Sequence, residues 1–320
     1  MTAQRGSHFF YGGRRLKHLL GIEALTAADI TGLLDRAEDA KQRLLNRKKS
    51  DALRGKSVVT LFYENSTRTK LSFELAARYT GADVSSLAVS TSSVNKGESL
   101  IDTGRTLDAL LADIIVIRHA VSGTPLFLSG QIAASVINAG DGMHEHPTQA
   151  LLDFFTMRER FGGLSGLSVA ILGDVAHSRV ARSNILGLVK LGASVTVAGP
   201  KTLVPKEIER LGCKVVYAAA DAVKDADVIM GLRLQLERQR SALIPDAGEY
   251  NRFFGITPAL LAHNTRNAVI LHPGPVNRDV ELDFSLVESA PSLIHGQVLN
   301  GVAVRMAVLE TVAAAKREEA

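Results

Sequence analysis

The strongest constraint in this sequence is a repeated alternation. Short apolar runs rich in β-branched residues, at 58–63, 83–89, 113–117 and 134–138, are separated by helical patterns at 69–79, 98–110 and 125–132. After Gly162 and Gly163 the series starts again, with strand-like runs at 168–172, 194–197, 214–217, 226–230 and 268–271. Helices fill the gaps, most clearly at 178–191. Strands that alternate with helices pair in parallel and are joined by crossovers. The expected fold is therefore α/β, with two doubly wound parallel-sheet domains in series, and 320 residues suit two domains with substantial cores.

Three further helices frame that pattern. One spans 26–46 and is capped by Thr26. Another, at 147–161, is helical by the spacing of Leu151, Leu152 and Phe155 and joins the two halves. The last, at 297–316, carries Val298, Val302, Met306, Leu309 and Val312, and its pattern fits packing on either domain. Residues 120–140 lack Asp, Glu, Lys and Arg, but Pro125, Gln131, Asn138 and interspersed Gly and Ser break the run, so it reads as a buried helix and strand rather than a membrane span.

Bulk composition excludes several classes. With 46% hydrophobic and 22% charged residues the chain is globular. The net charge of +4 is spread singly apart from KQRLLNRKK at 41–49, a solvated helix end. With neither a basic stripe nor an aromatic platform, no nucleic-acid partner is expected. One cysteine, Cys213, excludes an internal disulfide and CxxC metal sites and fits a reducing cytoplasm. The N-terminal stretch lacks the apolar core of a signal peptide.

In open α/β sheets ligands bind beyond the carboxyl ends of the strands, and the polar clusters of this chain fall there. Ser66, Thr67, Arg68 and Thr69 follow the first strand and open a helix. Hydroxyls, a guanidinium and the unpaired N–H groups of a helix start are the parts of a phosphate site; the plainer reading of any one of them is a helix cap or a surface arginine. No GxxxxGK[ST] is present, so this is not a P-loop. Arg118 and His119 follow the third strand, and beside a phosphate site Arg118 becomes a second anion clamp, although a charge simply leaving a strand end is equally ordinary.

His144, Glu145 and His146 lack a third ligand at matched spacing, so no metal is expected. His146 and Gln149, one turn apart, can donate to a carbonyl oxygen, or His146 can cap its own helix. In the second half, Gly173 and Asp174 lack the GxGxxG pattern, which disfavours a nicotinamide cofactor. Arg179 near a helix start suits a carboxylate, or is solvated. Arg233 and Gln235, two residues apart, share a face in extended chain and suit a second carboxylate. The loop His272-Pro273-Gly274-Pro275 is stiff, and its backbone carbonyls can orient an ammonium or amide.

Five ordered motifs carry a resemblance that runs from about Leu16 to Lys316: FYENSTRTKLSFE at 62–74, NKGESLIDT at 95–103, HPTQALLD at 146–153, GDVAHSRVARSN at 173–184 and HPGPVNRDVE at 272–281. The chain resembles the catalytic chains of the aspartate/ornithine carbamoyltransferase family, on the aspartate side. That resemblance implies a carbamoyl-phosphate domain at 1–147 completed by a returning C-terminal helix at 302–320, an aspartate domain at 148–301, and an active site in the cleft between them. It implies no cofactor. Ser66, Thr67, Arg68 and Thr69 would bind the phosphate, Arg118 and His146 the carbonyl oxygen or phosphate, and Gln149 the carbamoyl NH2. Arg179, Arg233 and Gln235 match ligands of the aspartate carboxylates, and Pro273 and Gly274 the backbone-carbonyl site. Ser92 and Lys96 match a loop lent by a neighbouring subunit, so a homotrimer with shared active sites is implied.

The implied reaction joins carbamoyl phosphate and L-aspartate in pyrimidine synthesis. Two departures from the family stand out. Gly274 occupies a position where some members carry leucine, and extra residues precede the usual start. Such an extension resembles chains that associate with dihydroorotase or a related partner; a regulatory chain is the other expected partner. Two rivals are an ornithine carbamoyltransferase, whose HCLP motif is HPGP here, and a non-catalytic scaffold, which would have lost some of these ligands.

Overall fold

The computed structural model describes residues 16–88, 98–235 and 246–317. Ser92 and Lys96 lie outside them.

Helix α1 (Ala27–Leu45) opens with a capping box, in which Thr26 Oγ1 accepts from the Asp29 N–H at 3.1 Å and the Asp29 carboxylate accepts from the Thr26 N–H at 2.9 Å. The first series of elements is β1 (Ser57–Phe62), α2 (Thr67–Tyr79), β2 (Asp83–Ala88), α3 (Leu100–Ala109), β3 (Ile114–His119), α4 (Thr124–Ser129) and β4 (Ser135–Asp141). Helix α5 (Pro147–Phe161) leads into β5 (Ser168–Leu172), α6 (Arg179–Lys190), β6 (Ser194–Ala198), β7 (Lys214–Val216), α7 (Ala219–Val223) and β8 (Val228–Gly231). The chain ends with α8 (Ala247–Phe254), α9 (Pro258–Leu261), β9 (Val269–Leu271), α10 (Phe284–Val287) and α11 (Ile294–Arg317).

These elements form two α/β domains, each built on a parallel sheet. The strand orders are β2-β1-β3-β4 and β7-β6-β5-β8-β9. In each sheet the order reverses at one place, between β1 and β3 and between β5 and β8. At such a switch point the two flanking crossovers leave on opposite faces, which opens a crevice at the carboxyl edge. Both crevices of this chain open onto the same interdomain space, and that arrangement decides which side chains meet.

Most element positions follow the periodicity, and the differences have local causes. Strand β3 runs on to His119 because parallel pairing with β1 continues through the Phe62–Arg118 partners before the register shifts beside β4. Arg118 is therefore held by a ladder rather than following it. Helix α4 ends at Ser129, earlier than its apolar pattern, and Gly130 caps it.

Helix α11 packs mainly on α1, α5 and α2, helices associated with the first sheet. It is apolar around much of its circumference because several elements cover it; Met306, Leu309 and Val312 are all fully buried. Among the described residues it is the one helix long and apolar enough to cross a membrane, and it is largely buried. Leu309→Ala should lower stability by about 2–5 kcal/mol through the cavity it leaves. Val298→Ala, at an exposed position on the same helix, should stay within about 0.5 kcal/mol. Denaturant unfolding checks both, and equal effects would contradict this packing of α11.

Candidate active site

The turn between β1 and α2 has no glycine because its side chains are aimed outward. Ser66 is the N-cap of α2, yet its side chain makes no capping bond. The first helical bond runs from the Lys70 N–H to Ser66 O at 3.0 Å, so the N–H groups of Thr67, Arg68 and Thr69 face out of the helix start. The Arg68 guanidinium lies against Gly274, where a Cβ would come within 3.0 Å of its Cζ. Gly274 also has φ +58, a conformation that favours glycine. Burial disfavours the Arg68 charge, and the nearby Arg233 cation adds to that effect. The first sheet and the second thus bring two cations toward one space, which an anion would relieve.

A second pair of arginines is bridged. Glu64, just ahead of the turn, lies 3.3 Å from Arg118 Nε and accepts from Arg179 Nη2 at 2.8 Å. Arg179 also donates to Gly142 O at 3.3 Å, and Arg118 to Ala139 O at 3.3 Å. Both guanidinium groups pass close to Gly140, where φ is +114 and a Cβ would meet Arg179 Cζ at 2.9 Å. Arg179 is only 3% exposed, so the solvated-arginine reading is excluded. The role of Glu64 was not visible in the sequence, where it is an ordinary acid before a polar turn.

His146 is the N-cap of α5, is 4% exposed and makes no side-chain cap bond, which removes the capping alternative. Its N–H donates to Ser183 Oγ at 2.9 Å, fixing the start of α5 against α6. Gln149 follows one turn later and donates Nε2 to Asp153 Oδ1 at 2.9 Å. Behind them, Asp141 accepts from the Gly123 N–H, Asn138 Nδ2 and His144 Nδ1. Burial works against the Asp141 charge, but those hydrogen bonds hold its carboxyl below the usual range. The bond to Asp141 in turn raises His144 above the ordinary imidazole value.

Donor atoms of Glu23, His144 and Glu145 lie within 4.8 Å of one another. The Glu145 carboxylate, however, already accepts from the Ile22 and Glu23 N–H groups and from Ser183 Oγ. That acid ties the N-terminal segment and α6 to the start of α5.

In the second half, Asp174 joins the loops after β5 and β8. It binds His177 Nδ1 at 2.7 Å and accepts from the Gln235 N–H at 3.4 Å. After β9, His272 Nδ1 accepts from the Gly274 N–H at 2.8 Å, which puts the ring proton on Nε2. That nitrogen lies 3.3 Å from Glu281 Oε1 without hydrogen-bond alignment. Glu281 also accepts from the Asn277 N–H, so both ends of the Pro273–Gly274 turn are tied down.

A cleft of about 940 Å3 opens between these elements. From the sequence list it brings together Ser66, Thr67, Arg68, Thr69, Arg118, His146, Gln149, Arg179, Arg233, Gln235, Pro273 and Gly274. Ser72, Gln297 and Arg305 line it as well, besides Glu64, and none of these was singled out from the sequence. Gln297 and Arg305 sit on α11, where they look like interruptions of an apolar helix. Chemically, the cleft offers cations and N–H donors at one end, cations and an amide at the other, and imidazole and amide groups between. Groups so arranged can hold two anions side by side.

Two family models match the chain in turn. Residues 17–159 match the aspartate/ornithine carbamoyltransferase carbamoyl-P binding domain, and residues 165–312 match the Asp/Orn binding domain of the same family. The aspartate carbamoyltransferase catalytic subunit of Acetivibrio thermocellus is 58% identical over 92% of this chain and 94% of its own length. That of Acidiphilium cryptum is 52% identical over 93% of this chain and 96% of its own. Among solved structures, aspartate transcarbamoylase from Trypanosoma cruzi in complex with carbamoyl phosphate superposes with a TM-score of 0.84, at 29% identity over 93% of this chain and 97% of that one. Ornithine carbamoyltransferase from Pyrococcus furiosus superposes equally well, with a TM-score of 0.85 at 28% identity over 94% and 98% of the two chains. The backbone alone does not separate the two substrates, so the separation rests on side chains and on the closer sequence relatives. Matched by both domain models across nearly its whole length, the chain belongs to the aspartate/ornithine carbamoyltransferase family.

Proposed function

We propose that this chain transfers the carbamoyl group of carbamoyl phosphate to L-aspartate, giving N-carbamoyl-L-aspartate and phosphate, an early step of pyrimidine synthesis. The observation that carries this reading is the cleft shared by two switch points, with Arg68 and the α2 start on one side and Arg179, Arg233 and Gln235 on the other. The first side suits a phosphate and the second suits the two carboxylates of aspartate. Ornithine would bring a cationic side chain toward Arg233 instead.

In this reading Ser66, Thr67, Arg68 and Thr69 hold the phosphate. The neutral aspartate amine attacks the carbamoyl carbon, and negative charge develops on the former carbonyl oxygen. Thr69, Arg118 and His146 donate to that oxygen, and losing one such donor typically costs ~10²–10³ in rate. The C–O bond to phosphate then breaks, the departing phosphate takes the proton that the amine loses, and Arg68 stabilises the charge that leaves. Gln149 orients the carbamoyl NH2, while the carbonyls of Pro273 and Gly274 line the same end. Holding two anions together against their repulsion supplies much of the remaining acceleration. Glu64 offsets part of the positive charge by bridging Arg118 and Arg179.

The carbamoyl-phosphate half is read as residues 1–147 with 302–320, and the aspartate half as 148–301. Closure of the halves brings Arg179 and Arg233 toward the phosphate end. Ser92 and Lys96 are read as coming from a neighbouring subunit of a cytoplasmic homotrimer, with dihydroorotase or a regulatory chain as candidate partners in a larger assembly.

Purified chain should carbamoylate aspartate and leave ornithine unreacted. Turnover of ornithine alone would overturn the substrate, and activity with neither would favour the scaffold. Arg68→Ala and Lys96→Ala chains should each fall by at least ~10² in turnover while remaining folded by circular dichroism. Mixing the two should restore part of the activity through hybrid trimers that contain one intact shared site. Hybrids that form and stay inactive would contradict the shared site, and near-normal turnover by Arg68→Ala would remove Arg68 from catalysis.

A further inference from the structure

Asp153 is a buried acid beside the cleft that the mechanism above leaves without a task. It lies one turn after Gln149 on α5 and is 0% exposed. Three amides from three helices donate to its two oxygens. Gln149 Nε2 and Gln297 Nε2 reach Oδ1 at 2.9 and 2.7 Å, and Asn184 Nδ2 reaches Oδ2 at 2.8 Å.

An ionised carboxylate only accepts hydrogen bonds, so each amide must turn its NH2 toward Asp153 and its carbonyl oxygen away. Two of the three are also held by a second bond. Gln297 Oε1 accepts from the His272 N–H at 3.0 Å, and Asn184 Nδ2 donates to Val180 O at 3.1 Å. Gln149 has no second side-chain partner among the described residues, and it lines the cleft. Its orientation therefore depends on Asp153, and the atom it presents to the cleft is the carbonyl oxygen, an acceptor.

We propose that Asp153 is a positioning residue that sets selectivity at the transferred group: by holding the Gln149 amide with Oε1 toward the cleft, it makes the site demand an N–H donor on the acyl carbon. This rests on the reading of Gln149 as the ligand of the carbamoyl NH2. The same phosphate with a methyl group in place of NH2, acetyl phosphate, lacks that donor and leaves Oε1 unpaired, which a buried acceptor tolerates poorly.

Burial pushes the Asp153 carboxyl up to about 7, against the amide hydrogen bonds from α6, α11 and α5 and the charge of Arg305 on α11. Arg305 is itself buried, donating to Ser72 Oγ and Gly301 O. Protonation would place a donor on one Asp153 oxygen and release an amide. Selectivity for carbamoyl over acetyl phosphate should then weaken as the pH falls through about 7. A pH effect on the carbonyl and phosphate groups, which the two phosphates share, cancels in the ratio.

The test compares wild type with Asp153→Asn and Asp153→Ala, measuring the Kd of carbamoyl phosphate and the Ki of acetyl phosphate between pH 6 and 9. Asparagine is nearly isosteric but brings its own NH2, so it cannot accept from all three amides. It also keeps the test open if the alanine variant fails to fold. The ratio of the two affinities should drop about tenfold in Asp153→Asn and lose its dependence on pH. A merely structural role would weaken both phosphates alike. An unchanged, pH-dependent ratio in an Asp153→Asn enzyme overturns the inference alone. Failure of wild type to bind carbamoyl phosphate overturns the reading of the site, and this inference with it.

Discussion

Everything in this molecule depends on bringing like charges together at the mouths of two parallel sheets. Arg68 and Arg118 come from the first sheet, and Arg179 and Arg233 from the second. One carboxylate, Glu64, bridges across by engaging both Arg118 and Arg179. Burial first, and the neighbouring Arg233 cation second, weaken the hold of Arg68 on its proton, so gathering cations in this way costs the folded chain energy. The backbone supports the arrangement where side chains would obstruct it. Gly140 lets two guanidinium groups pass, and Gly274 lets Arg68 lie flat against a turn fastened by His272 and Glu281.

The buried amides behind the cleft serve the same end by a different route. Asp153 keeps a raised carboxyl inside the protein, so the unfolded chain ionises more readily than the folded one. Its contribution to stability is greatest below the usual carboxylate range and is lost as the pH rises through about 7. An ionised Asp153 therefore costs stability at the pH where the enzyme would work. That cost is understandable if the charge is needed to orient Gln149, and it has no purpose if the acid only fills space.

Much of this is legible in the sequence. The strands were visible because those of a parallel sheet read as unbroken apolar runs, and the polar clusters because they follow those runs directly. Helix α5 kept its limits because Pro147 fixes one end and Gly162 the other. Strand order was not legible, since periodicity shows which segments are strands and not which become neighbours. The switch points, and with them the reason that Arg118 meets Arg179, needed the fold. Glu64, Asp153, Gln297 and Arg305 escaped for a related reason. Each is a polar residue in an otherwise ordinary local pattern, and its meaning lies in a partner far along the chain. The sequence places Arg118 near a strand end, while its place within the β3 ladder follows from pairing with Phe62.

The central claim is that the two cationic ends form one site that holds a phosphate and an aspartate at the same time. A crystal structure with a bisubstrate analogue, a phosphonate joined through an acetyl amide to aspartate, tests it most directly. The account predicts the phosphonate against the α2 start and Arg68, with the carboxylates on Arg179 and Arg233 and the linking carbonyl near His146. An analogue bound with its phosphonate on the Arg179 and Arg233 side, or at only one end of the cleft, would contradict it.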